Sequence, residues 1–123
     1  MKGVLYGNSQ SNFKGRIHIN KNASQSEAFQ INKNFVLSNG ARAIGMPELE
    51  ILTDDVKCSH GCSTGSLDKA AQFYLESRGI NPIIANDLLI KAEMNDIIFA
   101  IKNPSLAQKI TQTAHLLLEN LCP

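Results

Sequence analysis

Apolar and polar residues alternate in short runs over the first sixty positions and then recur every three to four positions to the end, so the chain changes texture once. Gly15-Arg16-Ile17-His18-Ile19 alternates, which sets Ile17 and Ile19 on one face of a strand and His18 on the other. Phe35-Val36-Leu37 is a continuous apolar run, and Pro47-Glu48-Leu49-Glu50-Ile51 alternates again. Asp54-Asp55 then turns the chain into a last strand, Val56-Lys57-Cys58-Ser59-His60. Strands this short, spaced by roughly ten to fifteen residues, fit an antiparallel sandwich or the rungs of a β-solenoid. Asn39-Gly40 is a hairpin signal, whereas the other breaks are longer and lack one. An open solenoid end would need a cap or a partner.

The second half reads as three helices. Ser66 is a cap for a helix from Leu67 to Arg78 with an apolar stripe of Leu67, Ala70, Ala71, Phe73, Tyr74 and Leu75, and Gly79 is its C′ residue. Asn81-Pro82 opens a second helix, in which Ile84, Leu88, Ala92 and the cluster Ile97, Ile98, Ile101 recur at helical spacing. Asn103-Pro104 ends it and starts a third, with Leu106, Ile110, Ala114, Leu117 and Leu121 on one face. The division falls at 1–65 for the strands and 66–123 for the helices.

Composition narrows the class. Twelve basic and eleven acidic residues are spread without blocks, so no patch points to nucleic acid or to an anionic membrane surface. The longest apolar runs fall far below a membrane span, and no signal-peptide stretch opens the chain. Three cysteines make a poor disulfide framework and suit a reducing, cytosol-like compartment.

Two of those cysteines stand beside a histidine in Val56-Lys57-Cys58-Ser59-His60-Gly61-Cys62-Ser63-Thr64-Gly65. On a strand ending near His60, the period of two puts Cys58 and His60 on one face, about 7 Å apart, close enough to share a metal ion. Cys62 joins them only if the chain turns at Gly61, and three ligands fall short of the four of a closed zinc site. The plain alternative is a small buried thiol beside a hydrogen-bonded histidine near a strand end. A thiol nucleophile with His60 as base would make the chain a stand-alone metal- or thiol-dependent enzyme, yet no orienting carboxylate stands beside His60 in sequence. Gly61 to Gly65 leading into a helix is similar to a phosphate-cradling turn, without the Walker lysine because Ser66 follows Gly65.

The stretch Pro47 to Ile80, PELEILTDDVKCSHGCSTGSLDKAAQFYLESRGI, resembles the C-terminal signature of the SufB/SufD family of iron–sulfur cluster assembly proteins. The likeness lies in Pro-x-Leu-Glu-Ile, in Asp-Asp-Val-Lys-Cys-Ser-His-Gly, in Gly-x-Leu-Asp and in Phe-Tyr-Leu-x-Ser-Arg-Gly-Ile. Upstream, Lys2-Gly3-Val4 and Phe13-Lys14-Gly15-Arg16-Ile17 resemble preceding family rungs. It is closer to SufD than to SufB, because Gly61 rather than an acidic residue follows His60, and Asn32 stands about where SufB has an upstream cysteine.

The resemblance implies a right-handed parallel β-helix, of which this chain holds a few C-terminal rungs, followed by a three-helix segment. It also implies a scaffold rather than an enzyme. A SufB-like subunit would pair near the last rungs, a homodimer could form through the same rungs, and a SufC-like ABC ATPase would dock on the helices at a face including Ile84, Leu88, Ile97 and Ile101. His60, then Cys58, would take part in handling a transient iron–sulfur cluster shared with the partner, with Cys62 a further metal ligand. The compartment implied is the cytoplasm, or a plastid-type organelle in a eukaryote. A purely structural interaction module is the remaining alternative.

Overall fold

In the computed structural model, which describes residues 1–121, five strands precede three helices. The strands are β1 (Lys2–Leu5), β2 (Gln10–Ile19), β3 (Ser26–Val36), β4 (Arg42–Ile51) and β5 (Val56–Gly65). They alternate between two sheets, β1-β3-β5 and β2-β4, and every pairing is parallel. Lys2 pairs with Lys33, Gln10 with Arg42 and Ser26 with Val56, a repeat of roughly thirty residues. Parallel neighbours cannot be joined by a two-residue hairpin, so the antiparallel sandwich is excluded. Asn39-Gly40 instead lies in the turn from β3 to β4, strands of different sheets, where Ala41 N–H donates to the Ser38 carbonyl at 3.0 Å.

The alternation read at the end of β2 holds: Ile19 is buried while Arg16 and His18 are exposed. The strands are longer than the apolar pattern predicts. β2 begins at Gln10 and β3 at Ser26, because the inward positions of their upstream halves, Ser11, Phe13 and Gly15 on β2 and Ser26, Ala28 and Gln30 on β3, mix small, polar and apolar residues and so carry no apolar period. On β3 the inward positions include Asn32 and Asn34, both buried, while Phe29 and Ile31 stand exposed on the outer face. Such a strand is held by its ladder hydrogen bonds and by amide pairing, so hydrophobic periodicity misses it. Leu5, Ile19, Phe35 and Ala41 supply the apolar part of this interior.

The two compact units are Met1–Ser66 and Leu67–Pro123. In the second, α1 (Lys69–Ser77) is capped by Asp68 and not by Ser66: Asp68 Oδ1 accepts from Ala70 N at 2.8 Å and Ala71 N at 3.3 Å. One carboxylate satisfies two of the first free N–H groups and complements the helix dipole, so the helix starts two residues later than predicted. Asp68→Ala is expected to cost the helical unit about 1 kcal/mol, read as a lower midpoint in urea unfolding followed by far-ultraviolet circular dichroism. At the other end Gly79 takes φ +84° as predicted for C′, and Ile80 N–H reaches back to the Leu75 carbonyl at 3.2 Å.

Asn81 Oδ1 accepts from Ile83 N at 2.9 Å to start α2 (Pro82–Ile98), and Asn103 Oδ1 accepts from Leu106 N at 3.2 Å to start α3 (Pro104–Leu121). The packing face of α2 differs from the predicted stripe. Ala85, Ile90 and Ile98 are buried, whereas Ile84, Leu88 and Ile97 are exposed and Ile101 lies half-buried beyond the helix end. Because α2 is apolar on more than one side, its neighbours α1 and α3 decide which side is covered. On α3 Ala114 and Leu118 are buried, while Leu106, Ile110 and Leu117 of the predicted face are exposed; the Leu121 side chain lies outside the described residues.

Candidate functional site

β5 does not end at His60. It runs unbroken from Val56 to Gly65 in register with β3, so Gly61 makes no turn and the phosphate-cradling reading falls away. The longer strand changes the site, because a period of two now carries Cys62 onto the same face as Cys58 and His60. Across the ladder these three stand beside Ala28, Gln30 and Asn32 respectively. Cys58 is half-buried, while His60 and Cys62 are exposed, and both cysteines are free thiols.

Cys62 is held from beneath. Asn32, fully buried, donates from Nδ2 to Cys62 Sγ at 3.9 Å, a length sulfur acceptors tolerate, and its Oδ1 accepts from Asn34 Nδ2 at 3.2 Å. The two amides therefore form a line whose donor end meets the thiol. Opposite them on β4 is Gly45, where a Cβ would run into Cys62 Sγ and stand 2.7 Å from Asn32 Nδ2. Only a residue without a side chain leaves that room. Gln30 Nε2 and Asn34 Oδ1 are buried without a hydrogen-bonding partner among the described residues. Residue-by-residue reading passed over Asn34 and Gly45; the signal was the alternation Gln30-x-Asn32-x-Asn34, amides at every inward position.

Within a single chain, and among the described residues, no three His, Cys, Asp or Glu side chains gather as a metal-holding group. Along the strand Cys58 and Cys62 are four residues apart, about 13 Å, which is too far to share one ion. The other edge of β5 carries no strand among the described residues, so the open side of the site is the side from which further ligands could arrive.

The outer face of β2 and β4 has a different chemistry. Lys14, Arg16 and His18 face Glu48 and Glu50: Lys14 Nζ lies 3.4 Å and Arg16 Nε 3.2 Å from Glu48, and Arg16 Nη1 lies 3.4 Å from Glu50. Arg16 and Lys14 hold the Glu48 carboxyl below its usual range. His18 Nδ1 lies 3.0 Å from Glu50 Oε2 and Nε2 lies 2.8 Å from Asn20 Oδ1, so both ring nitrogens meet acceptors and the hydrogen bond to Glu50, then that to Asn20, raises the histidine above its ordinary pKa. A raised histidine stabilises the folded state fully below its unfolded pKa of about 6.5 and loses that contribution as pH rises through the higher folded value. A proton NMR titration of His18 is expected to show the raised midpoint, and Glu50→Gln to bring it back toward the ordinary value.

Comparison with known proteins follows the same chain segments. Residues 1–93 match the family model described as "SUF system FeS cluster assembly, SufBD core domain". An iron–sulfur cluster assembly SufBD family protein of Synechocystis is 40% identical over 104 residues, covering 85% of this chain and 23% of the relative. The iron–sulfur cluster assembly protein SufD of Escherichia coli is 33% identical over 109 residues, covering 89% and 26% respectively. Protein ABCI7, chloroplastic, of Arabidopsis thaliana is 33% identical over 100 residues, covering 81% and 21%. This chain, which spans about a quarter of the length of those relatives, therefore belongs to the SufBD family.

Proposed function

We propose that the chain is the C-terminal part of a SufD-like scaffold subunit in iron–sulfur cluster assembly, not itself an enzyme. The observation that carries this reading is the placement of Cys58 and His60 on one face of an edge strand within the segment matched to the SufBD core domain. The strand alternation between two parallel sheets, with its repeat of roughly thirty residues, supports a reading of Met1 to Gly65 as rungs of a right-handed parallel β-helix. A SufB-like subunit would pair at the open side of the last rung, where His60 first and Cys58 second would contribute to a cluster that is cargo, held in transit between subunits. Thiolate beside imidazole suits iron–sulfur chemistry.

A SufC-like ATPase would dock on the helical unit. Ile84, Leu88 and Ile97 of α2 are exposed, which suits an apolar docking face; Ile101, half-buried after the helix end, would stand at its margin. Among the described residues no helix is long and apolar enough to cross a membrane. Bacterial relatives and a chloroplastic one support the cytoplasm or a plastid as the compartment. A pull-down of the chain against SufB-like and SufC-like proteins tests the assignment: capture of both is the expected result, and failure to bind either removes it.

A further inference from the structure

Asparagine precedes glycine once in this chain, at Asn39-Gly40, in the corner that links β3 to β4. Asparagine is a thermolabile residue, and the chemistry of its loss is a ring closure. The main-chain nitrogen of the next residue, having given up its proton, attacks the side-chain carbonyl carbon. The new C–N bond forms as the bond to the side-chain nitrogen breaks, ammonia leaves, and a five-membered succinimide remains. Water opens that ring at either carbonyl, giving aspartate or isoaspartate, whose main chain runs through the side-chain carbon and is one methylene longer. Closure needs a following residue that does not crowd the ring, a main-chain N–H that is not engaged, and a side chain that is not anchored.

Asn39 meets all of these conditions. Both residues are exposed, and Gly40 has no side chain to crowd the ring. Among the described residues neither the Gly40 N–H nor the Asn39 side chain makes a hydrogen bond. The other asparagines are protected by their neighbours. Ser9 after Asn8, Ala23 after Asn22 and Lys33 after Asn32 donate their N–H groups to the carbonyls of Tyr6, Asn20 and Met1, each at 3.0 Å. Asn81 and Asn103 precede proline, which has no N–H to lose, and the rest precede residues with side chains.

The fold itself keeps the reactive pair in place. Gly40 does not take a positive φ, so backbone freedom is not what requires glycine there. Room is: a Cβ at this position would run into Asn8 Oδ1 and stand 2.8 Å from the Gly7 carbonyl oxygen. Gly40 thus lies against the corner between β1 and β2, and the two corners are tied together by Gly7 N–H donating to Ser38 Oγ at 3.0 Å and Arg42 N–H to the Ser9 carbonyl at 2.9 Å. Stacking of one corner on the other excludes every side chain that would slow the reaction.

We propose that Asn39 is a site of spontaneous deamidation, at which ageing turns a neutral corner into an anionic one and, in the isoaspartyl product, loosens the tie between the two corners. The lengthened main chain must displace Gly40, which already touches Gly7 and Asn8, so the bonds from Gly7 to Ser38 and from Arg42 to Ser9 give way first.

The full chain is incubated at body temperature at neutral and at mildly alkaline pH, digested with trypsin and read by electron-transfer fragmentation, which tells isoaspartate from aspartate. Conversion at Asn39 is expected at both pH values and faster at the higher one, because the Gly40 nitrogen must lose its proton. Asn8, Asn22 and Asn34, the last within the same tryptic peptide, are expected to stay amides. An Asn39 that survives in the folded chain for a period that converts a synthetic peptide of residues 34–42 overturns the proposal, as does equally fast conversion of Asn8 or Asn22. Hydrogen exchange reads the consequence. Protection of the Arg42 N–H is expected to fall about fivefold in chains carrying the isoaspartyl linkage, the net contribution of one hydrogen bond. It is expected to persist in equally aged Asn39→Gln, whose longer side chain would have to close a larger ring. Unchanged protection in chains shown to carry the linkage overturns the loosening.

Discussion

Replacing Asn32 by aspartate is expected to destabilise the strand unit by roughly 3 kcal/mol at neutral pH, a large share of the stability of a domain this small. Asn32 has no exposed surface, and its side chain has two duties: Nδ2 donates to Cys62 Sγ and Oδ1 accepts from Asn34 Nδ2. Aspartate keeps the acceptor and loses the donor, and among the described residues the only buried polar or charged side chains are Asn32 and Asn34, so no buried cation offsets the lost hydration of its charge. Burial raises the carboxyl pKa, so the penalty grows as pH rises above the ordinary carboxylate range of about 4 and shrinks once the group is protonated. Asn32→Leu removes the charge problem and leaves Asn34 Nδ2 unpaired, a smaller loss of about 1–3 kcal/mol. Amide hydrogen exchange along β3 at pH 5 and pH 8 measures both: protection in Asn32→Asp falls more at the higher pH, while that in Asn32→Leu does not depend on pH. Equal protection in the aspartate variant and the parent would show that the amide line is not structural.

The second large effect is functional. On the proposed role of His60 as a cluster ligand, His60→Ala in cells that depend on the protein containing this segment is expected to lower iron–sulfur enzyme activity by at least about tenfold, because even outer-shell partners of a metal centre cost 10–100-fold when removed. The side chain is exposed on an edge strand, so its loss removes no core packing. Retention of the partner subunits in a pull-down separates a lost ligand from a lost complex. Cys58→Ser is expected to follow in the same direction with a smaller effect. Unchanged cluster assembly with the complex intact would remove His60 from the mechanism.

The candidate site was half legible from the residues. Cys58 and His60 were placed together by the simplest rule of strand geometry, and that rule needed only a strand through both. Cys62 was separated from them because Gly61 and the Ser-Thr-Gly that follows read as a turn, and turn propensity is a statement about local backbone freedom alone. In the structure β3 offers ten consecutive pairing positions, and its ladder outweighs the glycines. The capping of α1 was misplaced for a similar reason: Ser66 and Asp68 both have the chemistry of a cap, and only the path of the chain chooses the one whose oxygen meets two N–H groups.

Local physics was enough wherever the cause is local. Gly79 after Arg78, Asn81 before Pro82 and Asn103 before Pro104 mark helix ends because a cap involves a few neighbouring residues, and each was found where the residues put it. The succession of strands and then helices was readable too, since hydrophobic periodicity survives any arrangement of the elements. Parallel rather than antiparallel pairing, the burial of amides on β3, the face by which α2 packs and the full length of β5 belong to the tertiary structure. Each depends on a neighbour remote in sequence or on another helix: the Asn32 amide meets the Cys62 thiol thirty positions on, and that thiol fits because the facing strand has Gly45.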